Sequence, residues 1–189
     1  KAVKLRLLIY NPFDAVEVLN YKKNHYRAVT LEEQCLMLKN IKNSLYFAAF
    51  NIMVCTGLRI GEFLAINSQC VYFNERYLAV RRTVNIHTGE LQNRTKTYTS
   101  KRKVPFLKEL VPYLKILITY VDSKGLLSYN QVKMYFQKFL KKNNVIGVNL
   151  HSFRHTFGCM CYRAGIKAKT IQRLMGHASL DVTMNTYVD

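Results

Sequence analysis

Hydrophobic positions along the chain recur mostly at the three- and four-residue intervals of amphipathic helices. Residues 44–55 are almost uniformly apolar, which predicts a helix buried on all sides. Within 151–164 the apolar residues share one helical face, and shorter helical patterns follow at 168–175 and 181–187. Further helices are predicted over 107–121 and over a segment that ends near Lys142.

Polar residues and glycines mark where these helices begin and end. Residues 30–33 and 128–131 have the form of a capping box, so a helix is predicted to begin at each. Thr56-Gly57 is predicted to end the apolar helix, and Gly165 to end the helix that begins near His151. Another helix is predicted from about Arg59 onward.

Residues 70–106 have a different pattern, rich in β-branched and aromatic side chains. Val71–Phe73 and Tyr77–Val84 flank the turn-forming pair Asn74-Glu75, and 103–105 forms a third short extended segment. These segments predict a small antiparallel sheet of three strands with a basic rim. The expected fold class is therefore α+β and mostly helical.

The charge balance predicts a polyanionic partner. The chain has 29 Lys and Arg against 11 Asp and Glu, a formal net charge of +18. So large a surplus raises self-repulsion unless a polyanion binds, although a generally basic, solvated surface is the plainer alternative. Eight of the cations are predicted to contact nucleic-acid phosphates without reading base sequence. They are Lys22, Lys23, Arg81, Arg82, Arg94, Lys101, Arg102 and Lys103.

The five cysteines indicate a reducing compartment. Their number is odd, none forms a C-x-x-C pair, and most lie among apolar residues, so they are interpreted as small buried side chains. The longest apolar stretch is too short and too interrupted to span a bilayer, and the chain begins without a signal-peptide pattern. The expected location is the cytoplasm, with no membrane partner.

The C-terminal third carries residue types suited to phosphodiester chemistry without a metal. Such chemistry requires fixed cations, a donor to the leaving oxygen, and a nucleophile in line with it. His151 and Arg154 lie three positions apart on one helical face, and the planar guanidinium suits phosphate oxygens. His177 is predicted to be exposed at the turn after Gly176, and Tyr187 follows ten residues later.

Arg59 and Lys96 are earlier candidates for the same site. Arg59 opens a helix, and Lys96 lies among the cations of the sheet region. Taken singly, an arginine is usually solvated or ion-paired at the surface, and Lys96 is open to a phosphate-positioning role instead of a catalytic one.

A metal site is the sharper alternative. His151, His155 and Cys159 recur every four residues on one helical stripe. The segment has no H-E-x-x-H glutamate and no nearby carboxylate to orient a ligand, so no metal is predicted. His155 is interpreted as a buried structural residue.

Four ordered segments resemble motifs of the tyrosine recombinase (phage integrase) family. Residues 56–62 match T-G-x-R-x-x-E, 151–157 match H-x-x-R-H-T-F, 174–177 match L-x-G-H, and 183–187 resemble the segment that carries the nucleophile. Residues 96–105 resemble the family's K-T-x-x-S-x-R…P hairpin. The resemblance runs from about residue 28 to the end of the chain.

This resemblance implies a domain organisation. Residues 28–189 would form an integrase-like catalytic domain with a small three-stranded antiparallel sheet. Residues 1–10 would be the end of the last helix of an N-terminal core-binding domain, and 11–27 the linker between the two.

The resemblance also implies a role for each candidate. Tyr187 would attack the scissile phosphate and form a 3′-phosphotyrosyl bond, while Lys96 would protonate the departing 5′ oxygen. His151 would assist proton transfer at Tyr187, and Glu62 would hold local structure around the site. The transition state would be stabilised by Arg59, Arg154 and His177.

No cofactor is implied, because the phosphotyrosyl bond conserves the energy of the broken bond. The implied partners are double-stranded DNA attachment sites, further copies of the full-length protein in a tetramer on DNA, and an accessory DNA-bending or directionality protein. Three alternatives stay open: a telomere resolvase or type IB topoisomerase, a non-catalytic DNA-binding module, and a metal-dependent nuclease.

Overall fold

A computed structural model describes residues 26–40, 45–93 and 101–177, together with Val3, Ile9 and Tyr10. Within these residues the chain forms seven α-helices and five short strands. The helices are α1 (Leu31–Asn40), α2 (Leu45–Thr56), α3 (Ile60–Leu64), α4 (Val111–Lys124), α5 (Tyr129–Lys142), α6 (Leu150–Arg163) and α7 (Ala168–Met175). The strands are β1 (Val71–Tyr72), β2 (Tyr77–Val80), β3 (Thr83–Val84), β4 (Leu91–Gln92) and β5 (Arg102–Pro105).

Helix α2 forms the centre of the core. Its uniformly apolar sequence buries side chains all round, and it packs against α4, α5 and α6. Three aromatic rings join these helices: Phe50 of α2 lies 5.3 Å from Phe153 of α6 and 5.2 Å from Phe136 of α5, centroid to centroid. This aromatic cluster fixes α6 against α2, and so fixes the helix that carries His151 and Arg154.

The strands form two small antiparallel sheets. The first has the order β1-β2-β5, with Leu78 opposite Val104 and Val80 opposite Arg102. The second pairs β3 with β4. The predicted three-stranded sheet is confirmed, but the segment predicted as one strand over 77–84 is divided, because pairing with β5 stops at Val80 and pairing with β4 begins at Thr83.

The predicted capping boxes are confirmed at both positions. Thr30 Oγ1 accepts from Glu33 N at 3.2 Å, and Glu33 Oε2 accepts from Thr30 N at 2.9 Å. Ser128 and Gln131 make the same reciprocal pair before α5. Each box satisfies backbone N–H groups that the first helical turn leaves without an intrahelical partner.

Two helix predictions need correction or lie outside the described residues. The helix predicted over 107–121 begins at Val111 after a 3₁₀ turn at Lys108–Leu110, with a proline in its first turn, and ends at Lys124. The helix predicted over 181–187 lies outside the described residues. The face predicted as apolar on α6 is also only partly covered, because Met160 is 46 % exposed and Ala164 is exposed.

The N-terminal predictions are largely outside the described part of the chain. Val3 is a turn residue and Ile9 and Tyr10 are exposed bend residues, so the predicted helix is absent at these three positions. Arg27, predicted to belong to a linker, is attached to the domain: it pairs with Glu33 and donates to the carbonyl of Ile146 at 2.9 Å. Arg27 therefore contacts both the start of α1 and the loop before α6.

Among the helices of the described residues, none is long and apolar enough to cross a membrane.

Candidate active site

Helix α6 presents two of the motif residues. Its N-terminus is capped by Asn149, whose side-chain oxygen accepts from the backbone N–H of His151 at 2.8 Å and of Ser152 at 3.1 Å. The cap fixes the first turn of α6, with His151 exposed on the outer side of that turn. Phe153 is buried in the aromatic cluster, so the helix cannot rotate without losing that contact.

Arg154 is among the most deeply buried large side chains of the described residues, at 2 % exposed. Its Nη1 donates to the carbonyl of Gly57 at 2.7 Å, and its Nη2 donates to the carbonyl of Met175 at 2.6 Å. It thereby joins the end of α2 to the end of α7. Gly57 has a φ of +62°, and a Cβ there would lie 2.3 Å from the ring of Phe157, so only glycine fits beneath that ring.

Arg59 is the accessible arginine of the site, with a side chain 39 % exposed. Its backbone N–H and its Nη1 both donate to Glu62, at 2.9 and 3.0 Å, and its Nη2 donates to the carbonyl of Gly176 at 2.8 Å. Arg59 caps α3 in this arrangement, with Glu62 one turn into the helix. Both side chains are therefore held in register by the start of one short helix.

Arg102, one of the predicted DNA contacts, lies buried in a pair with Glu62. Its side chain is only 7 % exposed, and it makes a bidentate pair with Glu62, with Nη1 to Oε1 at 3.0 Å and Nη2 to Oε2 at 2.8 Å. Its Nε donates to the carbonyl of Leu174 at 2.7 Å. The period-two alternation of a strand is a signal that predicts this inward position, because Val104 is buried on the same side and Lys103 is exposed on the other.

Glu62 is the carboxylate of the cluster. Burial by itself raises the pKa of Glu62, but hydrogen bonds from Arg102 and the charges of Arg102 and Arg59 outweigh it and lower the pKa to about 2. Glu62 is therefore ionised across the physiological range. The single negative charge offsets part of the positive charge that gathers beneath the site.

His177 is buried, at 9 % exposed, and not exposed as the sequence indicates. It follows Gly176, whose left-handed backbone (φ +66°) ends α7, and its own N–H donates to the carbonyl of Gln172 at 3.1 Å. Desolvation, and then the charges of Arg154, Arg59, His151 and Arg102, lower the pKa of His177 to about 4. The imidazole is accordingly neutral at pH 7 and offers an N–H donor without a net charge.

His151 lies close to the same charges. Partial desolvation, followed by the charges of Arg154, Arg59 and His155, lowers its pKa. A neutral imidazole at neutral pH is able to accept a proton. His155, interpreted as buried, is half-buried, and desolvation lowers its pKa as well.

The structure thus gathers Arg59, Glu62, Arg154, His151 and His177 in one place. Lys96 and Tyr187 lie outside the described residues, as do Lys22, Lys23 and Arg94. The remaining predicted phosphate contacts keep an accessible position: Arg81, Lys101 and Lys103 are exposed and Arg82 is half-buried. The Nζ of Lys103 lies 4.5 Å from the centroid of the Tyr77 ring.

The histidine and cysteine stripe of α6, His151, His155 and Cys159, lies within the described residues. In the described ranges, no group of three or more His, Cys, Asp or Glu side chains is arranged to hold a metal ion. Burial raises the pKa of the Cys161 and Cys159 thiols, so both are protonated at neutral pH. Two cysteines interpreted as buried, Cys35 and Cys55, are exposed.

A mostly helical domain with this sheet and these convergent arginines has the fold of an integrase catalytic domain. Its similarity to the Tn1549 transposon integrase bound to transposon right end DNA has a TM-score of 0.80, at 21 % identity, covering 98 % of this chain and 69 % of that one. A lambda integrase dimer bound to a COC′ core site has a TM-score of 0.66, at 19 % identity, covering 98 % and 54 %. Similarity at this identity establishes the fold.

The sequence comparison establishes the family. Residues 29–189 match the Phage integrase family, and the chain belongs to that family. It is 22 % identical to the tyrosine recombinase XerC of Chlamydia caviae, over 96 % of this chain and 60 % of that protein. It is 28 % identical to a XerC-like tyrosine recombinase of Caldanaerobacter subterraneus, over 79 % and 48 %. The chain thus spans about half to three fifths of these relatives.

Proposed function

We propose that this chain is the catalytic domain of a site-specific DNA recombinase. It cleaves and rejoins DNA strands by transesterification, through a 3′-phosphotyrosyl intermediate on Tyr187. The observation that carries this proposal is the convergence of Arg59, Arg154 and His177, from three separate family motifs, at the end of α7. Family membership over residues 29–189 supports the same chemistry.

The reaction conserves bonds and protons. The Tyr187 oxygen attacks the scissile phosphorus, its proton passes to His151, and the bond to the 5′ oxygen breaks as Lys96 protonates that oxygen. Rejoining runs the same steps in reverse from a 5′ hydroxyl, so no external energy source is needed. These roles for Lys96, His151 and Tyr187 follow the family resemblance.

The cations act on the transition state. Arg59, the accessible guanidinium, meets the non-bridging oxygens, while Arg154 supplies positive charge from the buried side. His177 adds an N–H donor that carries no charge at neutral pH, because its pKa is lowered. Preorganised donors of this kind stabilise charge that develops during the reaction, and removing one costs about 10²- to 10³-fold in rate.

The proposed substrate is double-stranded DNA at attachment sites. Arg81, Arg82, Lys101 and Lys103 would position its backbone, with Lys22, Lys23 and Arg94 beyond the described residues. Full-length copies would assemble as a tetramer on DNA, with an accessory DNA-bending or directionality protein. Residues 1–10 would end the preceding core-binding domain, joined to the catalytic domain by the linker over residues 11–27.

A covalent-trapping assay tests the proposal. The protein is incubated, with chelator present, with a nicked duplex that it has selected from a randomised pool, and the products are separated on a denaturing gel. We expect a protein–DNA adduct that is lost in Tyr187→Phe and kept in Tyr162→Phe, a change at an exposed tyrosine with no proposed role. A bound, folded wild type that forms no adduct would contradict the proposal.

The same assay separates the alternatives. A non-catalytic binding module would form no adduct, and a metal-dependent nuclease would lose activity to the chelator. Relaxation of nonspecific supercoiled plasmid would indicate a type IB topoisomerase instead of a site-specific enzyme.

A further inference from the structure

Three arginine side chains donate hydrogen bonds to three successive backbone carbonyls at the C-terminus of α7. Arg102 Nε donates to Leu174 O at 2.7 Å, Arg154 Nη2 to Met175 O at 2.6 Å, and Arg59 Nη2 to Gly176 O at 2.8 Å. The last carbonyls of a helix have no intrahelical donor and carry the negative end of its dipole, so they attract cations. These guanidinium groups therefore help to hold the end of α7, and His177 directly after it, in place.

Arg102 differs from the other two arginines in what it touches. The same guanidinium that holds Leu174 makes the bidentate pair with Glu62, and Glu62 in turn holds both the backbone N–H and the Nη1 of Arg59. With Arg102 and Glu62 only 7 % and 9 % exposed, this contact is shielded from solvent. Arg102 thus connects β5, the start of α3 and the end of α7.

We propose that Arg102 is a positioning residue, which orients Arg59 through Glu62 and holds the end of α7 so that His177 faces the reacting phosphate. This role rests on the proposed recombinase function. Arg102 does not touch DNA in this role. Arg102 and Arg59 both donate to the Glu62 carboxylate. The pair with Arg102 therefore weakens the attraction of Glu62 for Arg59, which leaves Arg59 better able to contact the phosphate.

Gly176 gives independent support for a close and specific contact. A Cβ on Gly176 would lie 2.9 Å from Arg102 Nη1 and 3.2 Å from Cζ. The guanidinium therefore packs directly on the backbone of the turn that precedes His177. A Cβ at this position would force the guanidinium to shift, and it would sit on a backbone with a left-handed φ of +66° that favours glycine.

Lysine cannot replace Arg102 in this arrangement. Three separate N–H groups of the guanidinium are used, two toward Glu62 and one toward Leu174. A lysine ammonium is a single point charge and cannot make the bidentate pair while it also reaches a backbone carbonyl. Arg102→Lys therefore keeps the positive charge but cannot make the bidentate pair with Glu62 and the hydrogen bond to Leu174 at the same time.

The experiment compares binding with cleavage in Arg102→Lys and Lys101→Met, using the selected nicked duplex. Lys101 is the exposed neighbour of Arg102 and a proposed phosphate contact. For Arg102→Lys we expect single-turnover cleavage at saturating DNA to fall about 10²-fold, the size of effect that a small misplacement of catalytic groups produces. Its Kd and the salt dependence of Kd should stay as in the wild type.

Lys101→Met should instead weaken binding. Its Kd should weaken and the slope of log Kd against log salt should fall by about one, as for the loss of one phosphate contact. If Arg102→Lys behaves like Lys101→Met, Arg102 contacts DNA and the positioning role is wrong. If the wild type forms an adduct and Arg102→Lys forms it at the same rate, only the positioning role fails. A wild type without an adduct overturns the proposed function as well.

A double-mutant cycle separates a positioning role from a general loss of structure. Arg102→Lys is measured in the wild type and in Glu62→Gln, where no buried carboxylate charge is left for the arginine to offset. Because Arg102 acts largely through Glu62, its substitution should slow cleavage less in Glu62→Gln than in the wild type. Equal effects in the two backgrounds would contradict the proposal.

Discussion

Two buried regions of this domain meet at adjacent residues of α6 and are held by different forces. Phe153 is 1 % exposed and packs against Phe50 and Phe136, whereas Arg154 is 2 % exposed and donates to carbonyls from α2 and α7. The hydrophobic stabilisation of the aromatic cluster is non-directional, so it is distributed over several neighbouring side chains. The hydrogen bonds of the arginine cluster (Arg59, Arg102, Arg154 and Glu62) each depend on the geometry of one donor and one acceptor, so the loss of any one of them has its own effect.

This difference predicts that substitutions in the aromatic cluster lower stability and substitutions in the arginine cluster lower activity. Burial alone would not distinguish the two regions.

Phe153→Ala should lower the free energy of unfolding by about 3–5 kcal/mol, because it removes a buried ring and leaves a cavity. Urea denaturation measures this change, and the fraction that remains folded should lose less of its cleavage rate than Arg59→Ala does. Met134→Ala is the control, since Met134 is 57 % exposed and its truncation should be close to neutral. A loss as small as that of the control would show that α6 is not held by the aromatic cluster.

Arg59→Ala should slow cleavage by about 10²- to 10³-fold, because it removes the accessible donor that we propose contacts the transition state. Its effect on the free energy of unfolding should be about 1 kcal/mol or less, since the side chain is 39 % exposed. Single-turnover adduct formation and urea denaturation give the two numbers. Arg163→Ala, a change at an exposed arginine of the last turn of α6, should leave the cleavage rate unaltered.

Gly176→Ala and Gly165→Ala form a matched pair. Both glycines have a positive φ, so either substitution should cost about 1–2 kcal/mol of backbone strain. Only at Gly176 does the new Cβ meet Arg102, whereas nothing lies within 4 Å at Gly165. Gly176→Ala should therefore lose more stability than Gly165→Ala and should alone slow cleavage. Equal losses in both measurements would mean that the Arg102 contact has no influence on the site.

The free energy of unfolding should decrease as the pH is lowered, in two successive pH ranges. The pKa of His177 is about 4 in the folded protein against an ordinary 6.5, so the unfolded chain binds protons more readily between these values. Its contribution is complete above pH 6.5 and is lost as pH falls through about 4. The pKa of Glu62 is lowered from 4.5 to about 2, so its contribution is complete above pH 4.5 and is lost as pH falls toward 2.

Urea midpoints measured across this pH series test both ranges. His177→Gln should reduce the pH dependence of the urea midpoint in the upper range. The dependence that remains there should come from His151 and His155, because their pKa values are also lowered. Glu62→Gln should reduce the pH dependence of the urea midpoint in the lower range. A wild-type midpoint that does not change between pH 6.5 and 4.5 would contradict the burial of His177 beside these cations.

Much of the local structure was predictable because it depends on neighbouring residues. The limits of α7, both capping boxes and the central apolar helix follow from residues within a few positions of one another. The three-stranded sheet was predicted as well, although the break at Arg81-Arg82 was not, since it depends on where β5 and β4 pair.

The candidate site was predictable only in part. The motifs identified Arg59, Arg154 and His177, but His177 was predicted to be exposed and is buried. Arg102, predicted to contact phosphates, has a side chain that is only 7 % exposed. Burial at a turn or on a short strand depends on what packs over it. Arg102 lies over the end of α7, and that neighbour is 72 residues away in the chain.

The family, the helical periodicity and the residue types available for phosphate chemistry can all be read from the amino-acid sequence. These properties are encoded by motifs and by spacings of three and four residues, which do not depend on distant packing. The hydrogen bonds from three arginines to consecutive carbonyls at the end of α7 span 72, 21 and 117 residues of chain, and they follow from tertiary packing. Hydrogen bonds over such separations form only where packed helices and strands bring donor and acceptor within 3 Å and in line, as no local pattern specifies.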